Sequence, residues 1–234
     1  MIGKTMRTAM VLLLLAMQFP ASAGAADAGA IQRVSGTVTI TGADNTTRVA
    51  AVDEKIRAGD TVSTDAAGET MIRMSDRSTV ALRPNTQFRI NAYAFEEKAG
   101  DSLFSTLLRG AVRMVTGLVG KSHPENYTVQ ANMATIGIRG TDFEVAILEE
   151  GSSDGRPGVY SAVNDGGTTV RIVSGERVDV EKDQTAFAPA KPEPGEAPLQ
   201  VLDTRPAFFR GGGFDSMMHQ VTSQPMRSIQ FMRR

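Results

Sequence analysis

Cysteine is absent from the 234 residues, which excludes disulfide scaffolds, thiol nucleophiles and cysteine-ligated zinc or iron–sulfur sites. Histidine is nearly absent: His123 and His219 are the two in the chain, too few for a multi-histidine metal centre. There is no tryptophan, and three tyrosines give little material for stacking platforms. An excess of positive charge is missing as well, since 25 Lys and Arg stand against 26 Asp and Glu, so a nucleic-acid binder driven by bulk charge is not expected. What is plentiful is glycine, at 23 residues, which suits short strands joined by tight turns better than a helical bundle.

Met1 to Ala23 reads as an export signal. Lys4 and Arg7 precede an apolar run from Ala9 to Met17, and Ala21-Ser22-Ala23 offers a small-residue cleavage site. The run is well short of the roughly 20 residues that a membrane-spanning helix needs, so cleavage is expected over anchoring, with no transmembrane span after processing. No cysteine follows the small residues, which excludes a lipid anchor there. The expected location is the periplasm or beyond. Losing Lys4 and Arg7 leaves 23 basic residues against 26 acidic ones, a mildly acidic exported protein.

From Ile31 to Phe187 the pattern is one of short period-two runs separated by Gly, Asp and Asn. Val34, Gly36, Val38 and Ile40 alternate with polar neighbours, and Thr70–Met74 and Ser78–Leu82 flank a connection short enough for a hairpin. Strand follows strand without helical periods, which predicts an all-β antiparallel sandwich or roll of many short strands. Leu103–Leu108 fits either a helical turn or a strand, and a strand is the preferred reading. Ala188–Pro198 holds four prolines in eleven residues, so 188–202 is expected to be a mobile linker that ends the globular part. The remainder, 203–234, carries five Arg against two Asp and a Gly211–Gly213 tract; it is expected to be a disordered basic tail capable of weak contact with an anionic surface. Gly211–Gly213 lacks the Gly-Lys-Ser/Thr ending of a phosphate loop.

The densest motif runs from Tyr127 to Val145 and contains Ile136-Gly137-Ile138-Arg139-Gly140-Thr141-Asp142-Phe143. Together with Ala58-Gly59-Asp60-Thr61-Val62-Ser63-Thr64 and Met74-Ser75-Asp76-Arg77-Ser78, it resembles the FecR-type periplasmic domain family over about Ile31–Leu148, extending toward Phe187. The residues carrying the resemblance are Gly59, Asp60, Asp76, Gly137, Arg139, Gly140, Thr141 and Phe143. The resemblance implies a noncatalytic all-β domain outside the inner membrane, working through an envelope protein partner. Founding members relay a signal to a cytoplasmic sigma factor through an amino-terminal cytoplasmic segment. This sequence opens on an export signal instead, so that role is not expected to carry over. Physically, the glycines of the motif suit a bulge or close backbone approach and its isoleucines suit the core. Arg139, a cation inside an apolar run, is expected either to snorkel outward or to pair with Asp142 or Glu144.

Catalytic candidates are weaker. Ser122, His123 and Glu125 adjoin in sequence, but a triad is assembled by the fold, not by neighbours, and a solvated turn is the simpler account. Glu96-Glu97 and Glu149-Glu150 suggest a glycosidase pair, yet successive residues on a strand point to opposite faces. Asp44-Asn45 and Asp154-Gly155 lack calcium-loop spacing. The expectation is therefore a protein-binding, scaffolding or signalling module with no catalytic residue, cofactor or metal; the alternative is an envelope polysaccharide- or peptidoglycan-binding sandwich.

Overall fold

The computed structural model describes residues 27–140 and 142–209. The proposed export signal and most of the basic tail, with Thr141, lie outside the described residues. Seventeen strands form in chain order: β1 Asp27–Ser35, β2 Val38–Thr41, β3 Thr47–Val49, β4 Lys55–Arg57, β5 Thr61–Thr64, β6 Glu69–Met74, β7 Thr79–Leu82, β8 Gln87–Ala94 and β9 Ser102–Val115 make up the first half. After a five-residue helix, α1 Leu118–Ser122, come β10 Tyr127–Ala131, β11 Ala134–Ile138, β12 Asp142–Leu148, β13 Gly158–Asp165, β14 Gly167–Ile172, β15 Arg177–Glu181, β16 Thr185–Pro189 and β17 Gln200–Leu202. The all-β expectation holds, and Leu103–Leu108 is strand.

The ladders sort into two sheets that share β9. Sheet A runs β4-β1-β6-β7-β9-β12-β13-β16-β17. Sheet B runs β3-β2-β5-β8-β9-β10-β11-β14-β15, and its β9·β10 pair is parallel while the rest are antiparallel. The first part of β9 pairs with β8 and β10, and its last residues pair with β7 and β12.

Gly110 is where β9 changes sheet. Leu103, Ser105 and Leu107 face the core before it, Val112 and Met114 after it, so the inward set switches from odd to even positions. That flip needs a bulge, and the register shifts between Gln87 and Phe88 on the facing strand supply it. Gly110 sits at φ +80°, and a Cβ there would lie 2.4 Å from Thr86 Oγ1 and 2.7 Å from the Asn85 carbonyl oxygen. The Ala111 N–H donates to Thr86 Oγ1 at 3.0 Å and closes the corner.

Between the sheets, alternate residues of almost every strand form one core, with Ile31, Ile40, Phe88, Tyr127, Val129, Ile136, Phe143 and Val145 wholly enclosed. The proline-rich stretch departs from the expected linker. Ala188 and Pro189 belong to β16, and β17 returns to pair Gln200 with Phe187 and Leu202 with Thr185. Pro192, Pro194 and Pro198 fall in the connection between these strands, where no ladder N–H is required of them. That connection is held by Glu196, whose carboxylate accepts two bonds from the Arg156 guanidinium at 2.7 and 2.9 Å and one from the Glu193 N–H. The start of the tail also departs from the expected disorder: Ala207–Phe209 is a 3-10 turn and Phe209 is buried.

Candidate functional site

Gly59 and Asp60 form the turn between β4 and β5. The Asp60 carboxylate, 4% exposed, accepts from the Arg57 N–H at 3.1 Å and from Arg48 Nη2 at 2.9 Å. The backbones of Gly59 and Asp60 exchange bonds with Ile90. This pair fastens β3, β4 and β8 to one point, which accounts for a buried acid next to a left-handed glycine without any ligand.

Asp76 occupies the β6–β7 turn, where its carboxylate accepts from the Ser78 N–H and hydroxyl at 3.0 and 2.7 Å and from the Val119 N–H of α1. Burial, together with the Asp76 charge nearby, pushes the phenols of Tyr93 and Tyr127 well up, so both stay protonated. On its other side α1 meets the second motif, for a Cβ on Gly120 would lie 2.6 Å from Ile138 Cδ1. The fold thus brings Asp76 and the Ile138–Gly140 segment together around α1, and keeps Gly59–Asp60 apart from both. Phe143 is a core residue of β12. Gly140 takes φ +70°, and a Cβ there would meet nothing nearer than the Gly120 carbonyl oxygen at 3.9 Å, so its requirement for glycine is conformational, not steric.

Arg139 does not pair with Asp142 or Glu144. Its guanidinium lies over Gly167 and bonds Glu181 on β15 at 2.5 Å, about half exposed. The reason is phase: the turn at Gly140 separates β11, in sheet B, from β12, in sheet A, and the two carboxylates face away on the outer side of sheet A.

There they build a network that the sequence reading did not contain. Glu144, 1% exposed, accepts from Arg83 at 2.9 Å and from Arg205 at 2.7 Å. Arg113 grips Asp142 through two bonds, at 2.9 and 2.7 Å, and Asn164 bridges Asp142 to Glu144. Beside it, Phe187 stacks on Tyr160 with centroids 4.3 Å apart, Phe208 meets Tyr160 edge-on at 5.1 Å, and Phe209 completes a small apolar cluster with Ala146 and Ala162. Residues 203–209 therefore lie as a strap across the outer face of sheet A, held by Arg205 and the two phenylalanines.

The outer face of sheet B carries no such strap among the described residues. Register aligns Thr47, Thr41, Thr61, Arg89, Thr106, Gln130 and Thr135 in one row across it. Phe104 and Leu108 of β9 stand out from this polar field at 39% and 51% exposure. Gly137 faces outward two strands away, beside Thr128, with extended backbone and nothing nearer than 3.9 Å to a Cβ. The fold does not need glycine there; its effect is to leave the surface flat. Leu108, Gln130 and Asn132 also border a cleft of about 530 Å³ whose far wall is Ile147–Glu150 and Pro157.

The family model for FecR protein matches residues 60–176, half of the chain. The chain belongs to the FecR family. The strands outside the matched FecR stretch are integral to the same ladders, β1 pairing with β6 and β15 with β14. Two crystal structures of a "putative anti-sigma factor" from Parabacteroides distasonis are similar at 13% identity, with TM-scores of 0.48 and 0.49; the alignment covers 63% of this chain and 61% of theirs. No curated protein matches.

FecR proteins are regulators and not known enzymes, and the catalytic candidates here are poorly placed. His123 Nδ1 is 3.7 Å from Glu125, beyond hydrogen-bond reach. Lys191 holds the exposed Glu150 carboxyl below its ordinary range, opposite to what a general acid needs. Among the described residues no group of three His, Asp or Glu side chains is arranged to hold a metal. The signals that the sequence reading missed were Glu144 inside an apolar strand, Arg113 on the neighbouring β9 and Arg83 just past the end of β7.

Proposed function

We propose that this FecR-family protein is an exported, noncatalytic module of the cell envelope that acts by binding another protein, and that the outer face of sheet B is the contact face. Family membership supports a regulatory or signalling role. One observation carries the choice of face: sheet A is covered by the chain's own strap, whereas sheet B presents Phe104 and Leu108 on a flat threonine-rich field. Two exposed apolar side chains in a polar surround are the usual anchor and rim of a modest protein interface. The polysaccharide alternative is disfavoured because Tyr127 and Tyr160 are buried and the Tyr93 hydroxyl accepts the Asp76 N–H at 2.7 Å, so no tyrosine is free as a sugar platform.

A photo-crosslinking residue at Phe104 in the full chain, expressed in its own cells, tests the reading. The expected result is one discrete protein adduct that disappears with Gly137→Arg, a change the backbone accommodates. The same adduct from a crosslinker at Glu69 on sheet A, or retention of the protein on purified peptidoglycan with no adduct, would overturn it.

A further inference from the structure

Charge is unevenly spread over the outer face of sheet B. The chain has more acidic than basic residues, yet no outward position of β2, β3, β5, β8, β9, β10, β11 or β14 is Asp or Glu. The acids of this face sit on edge strand β15, and both are engaged. Asp179 accepts from the Thr169 hydroxyl at 2.6 Å and from Arg177 at 3.3 Å, and Glu181 accepts from Arg139. Glu149 and Glu150, on the far wall of the cleft beside Leu108, follow β12 at the end of sheet A, and Lys191 engages the second. What remains on the face is Arg89 on β8, Arg109 on β9 and Arg171 on β14. All three are exposed, and their guanidinium groups make no hydrogen bond or ion pair among the described residues.

We propose that this face takes an acidic segment of a partner protein, whose carboxylates meet Arg89 and Arg171 and whose apolar side chain seats against Phe104 and Leu108. The inference rests on sheet B being the contact face, and adds the chemistry of what it contacts. Register puts Arg89, Thr106, Gln130, Thr135 and Arg171 in one row, with Arg89 one strand from β9 on one side and Arg171 three strands away on the other. The two cations are thus four strand spacings apart, about 19 Å, a length that an extended chain covers in about six residues. Phe104 and Leu108 lie on β9, one to each side of that row, and Arg109 stands opposite Gln87 at the bulge beside Leu108. A planar guanidinium matches a carboxylate through two parallel bonds, and with no acid of its own nearby each arginine is left for one from outside. Three cations spread this widely around two apolar side chains are too sparse for an anionic lipid surface, which calls for a cluster of four or more. The chain's own residues 210–234 do not suit the face by charge, since they hold four Arg and one Asp.

The crosslinker at Phe104 in the full chain separates the two claims. Combining Arg89→Glu with Arg171→Glu should cut the adduct on the order of tenfold, while Arg89→Lys with Arg171→Lys keeps most of it. Because these guanidinium groups bond nothing in the fold, both variants should keep the parent's thermal midpoint. The partner peptide joined to the crosslinker, read by mass spectrometry, should carry Asp or Glu within a few residues of the joint. An undiminished adduct in the glutamate variant, or a joined peptide without acids, would overturn the acidic partner and leave the contact face standing; no adduct from the parent would overturn both. A second reading uses a synthetic peptide with glutamates at both ends and a central leucine, titrated into the isotope-labelled full chain. The Thr106 and Thr135 amide signals should shift saturably, less so as salt rises, and not in the glutamate variant or with a lysine-ended peptide. Equal shifts with the lysine-ended peptide would overturn the proposal. So would displacement of the acidic peptide by phosphatidylglycerol vesicles, which would assign the arginines to a lipid surface.

Discussion

The two outer faces of this sandwich are built from the same alternation and end in opposite conditions. On sheet A the outward positions include Ala111, Ala146, Ala162, Tyr160 and Phe187, which no solvated face would favour together, and a strap with a carboxylate shared by two arginines closes over them. On sheet B the outward positions are mostly Thr, Ser, Gln and Arg, which remain hydrated at little cost, and the apolar exceptions include Phe104 and Leu108 in mid-sheet and Val49 on the edge strand β3. The lesson is that an outward apolar residue means different things by its company. In a row of small and aromatic neighbours it marks a face the chain covers itself, and alone in a threonine field it marks a face left for something else.

Breaking the covered face should cost most. Glu144→Ala strands Arg83 and Arg205 in a poorly solvated place and is expected to lower stability by about 3 kcal/mol, read from denaturant midpoints. Phe209→Ala removes the plug over Ala146 and Tyr160 and should cost about 2 kcal/mol by the same measurement. The open face should behave otherwise. Phe104→Ser and Leu108→Ser are each expected to stay within about 0.5 kcal/mol of the parent, and a loss near that of Phe209→Ala would show the face to be a covered one. Gly137→Thr should be neutral or slightly stabilising, up to about 0.5 kcal/mol, since an extended residue replaces glycine in a strand interior where space is free.

The smallest effect is electrostatic. The Arg156 guanidinium holds Glu196 down to about 2, below the ordinary carboxylate value of 4.5. A depressed folded-state value means that the clasp stabilises fully above pH 4.5 and that its contribution is lost as pH falls from there toward 2. An NMR titration of the Glu196 carboxyl should give a midpoint near 2, rising toward the ordinary value in Arg156→Ala while the Glu193 N–H and Gln200 still hold it somewhat below.

Much of this was readable from residues alone. The even spacing of β-branched runs gave the strand content, and the hairpin of β6 with β7 follows from its short polar connection. Gly59–Asp60 and Asp76 were visible as motifs, though their work as turn anchors needed partners from β3 and α1. The Glu144 network was not legible, because its members lie just past β7, on β9, β12 and β13 and on the strap, and only register brings them together. Of the two readings of Arg139, the outward one describes its half-exposed guanidinium, and the pairing with Asp142 or Glu144 fails because the chain changes sheets between β11 and β12, so that near neighbours in sequence end on opposite faces. The proline-rich stretch misled because its composition says nothing of where a ladder donor is needed.

Strand β9 has a consequence for the order in which the chain becomes safe. Until residues 102–115 have been made, the strands before them form two sheets that each end in a raw edge, β7 on one side and β8 on the other. Both edges are sealed by the same fourteen residues, turning at Gly110. A nascent chain halted short of that point carries two open templates on two different strands, and one that has passed it carries both rims on the single strand β9, which β10 and β12 then cover.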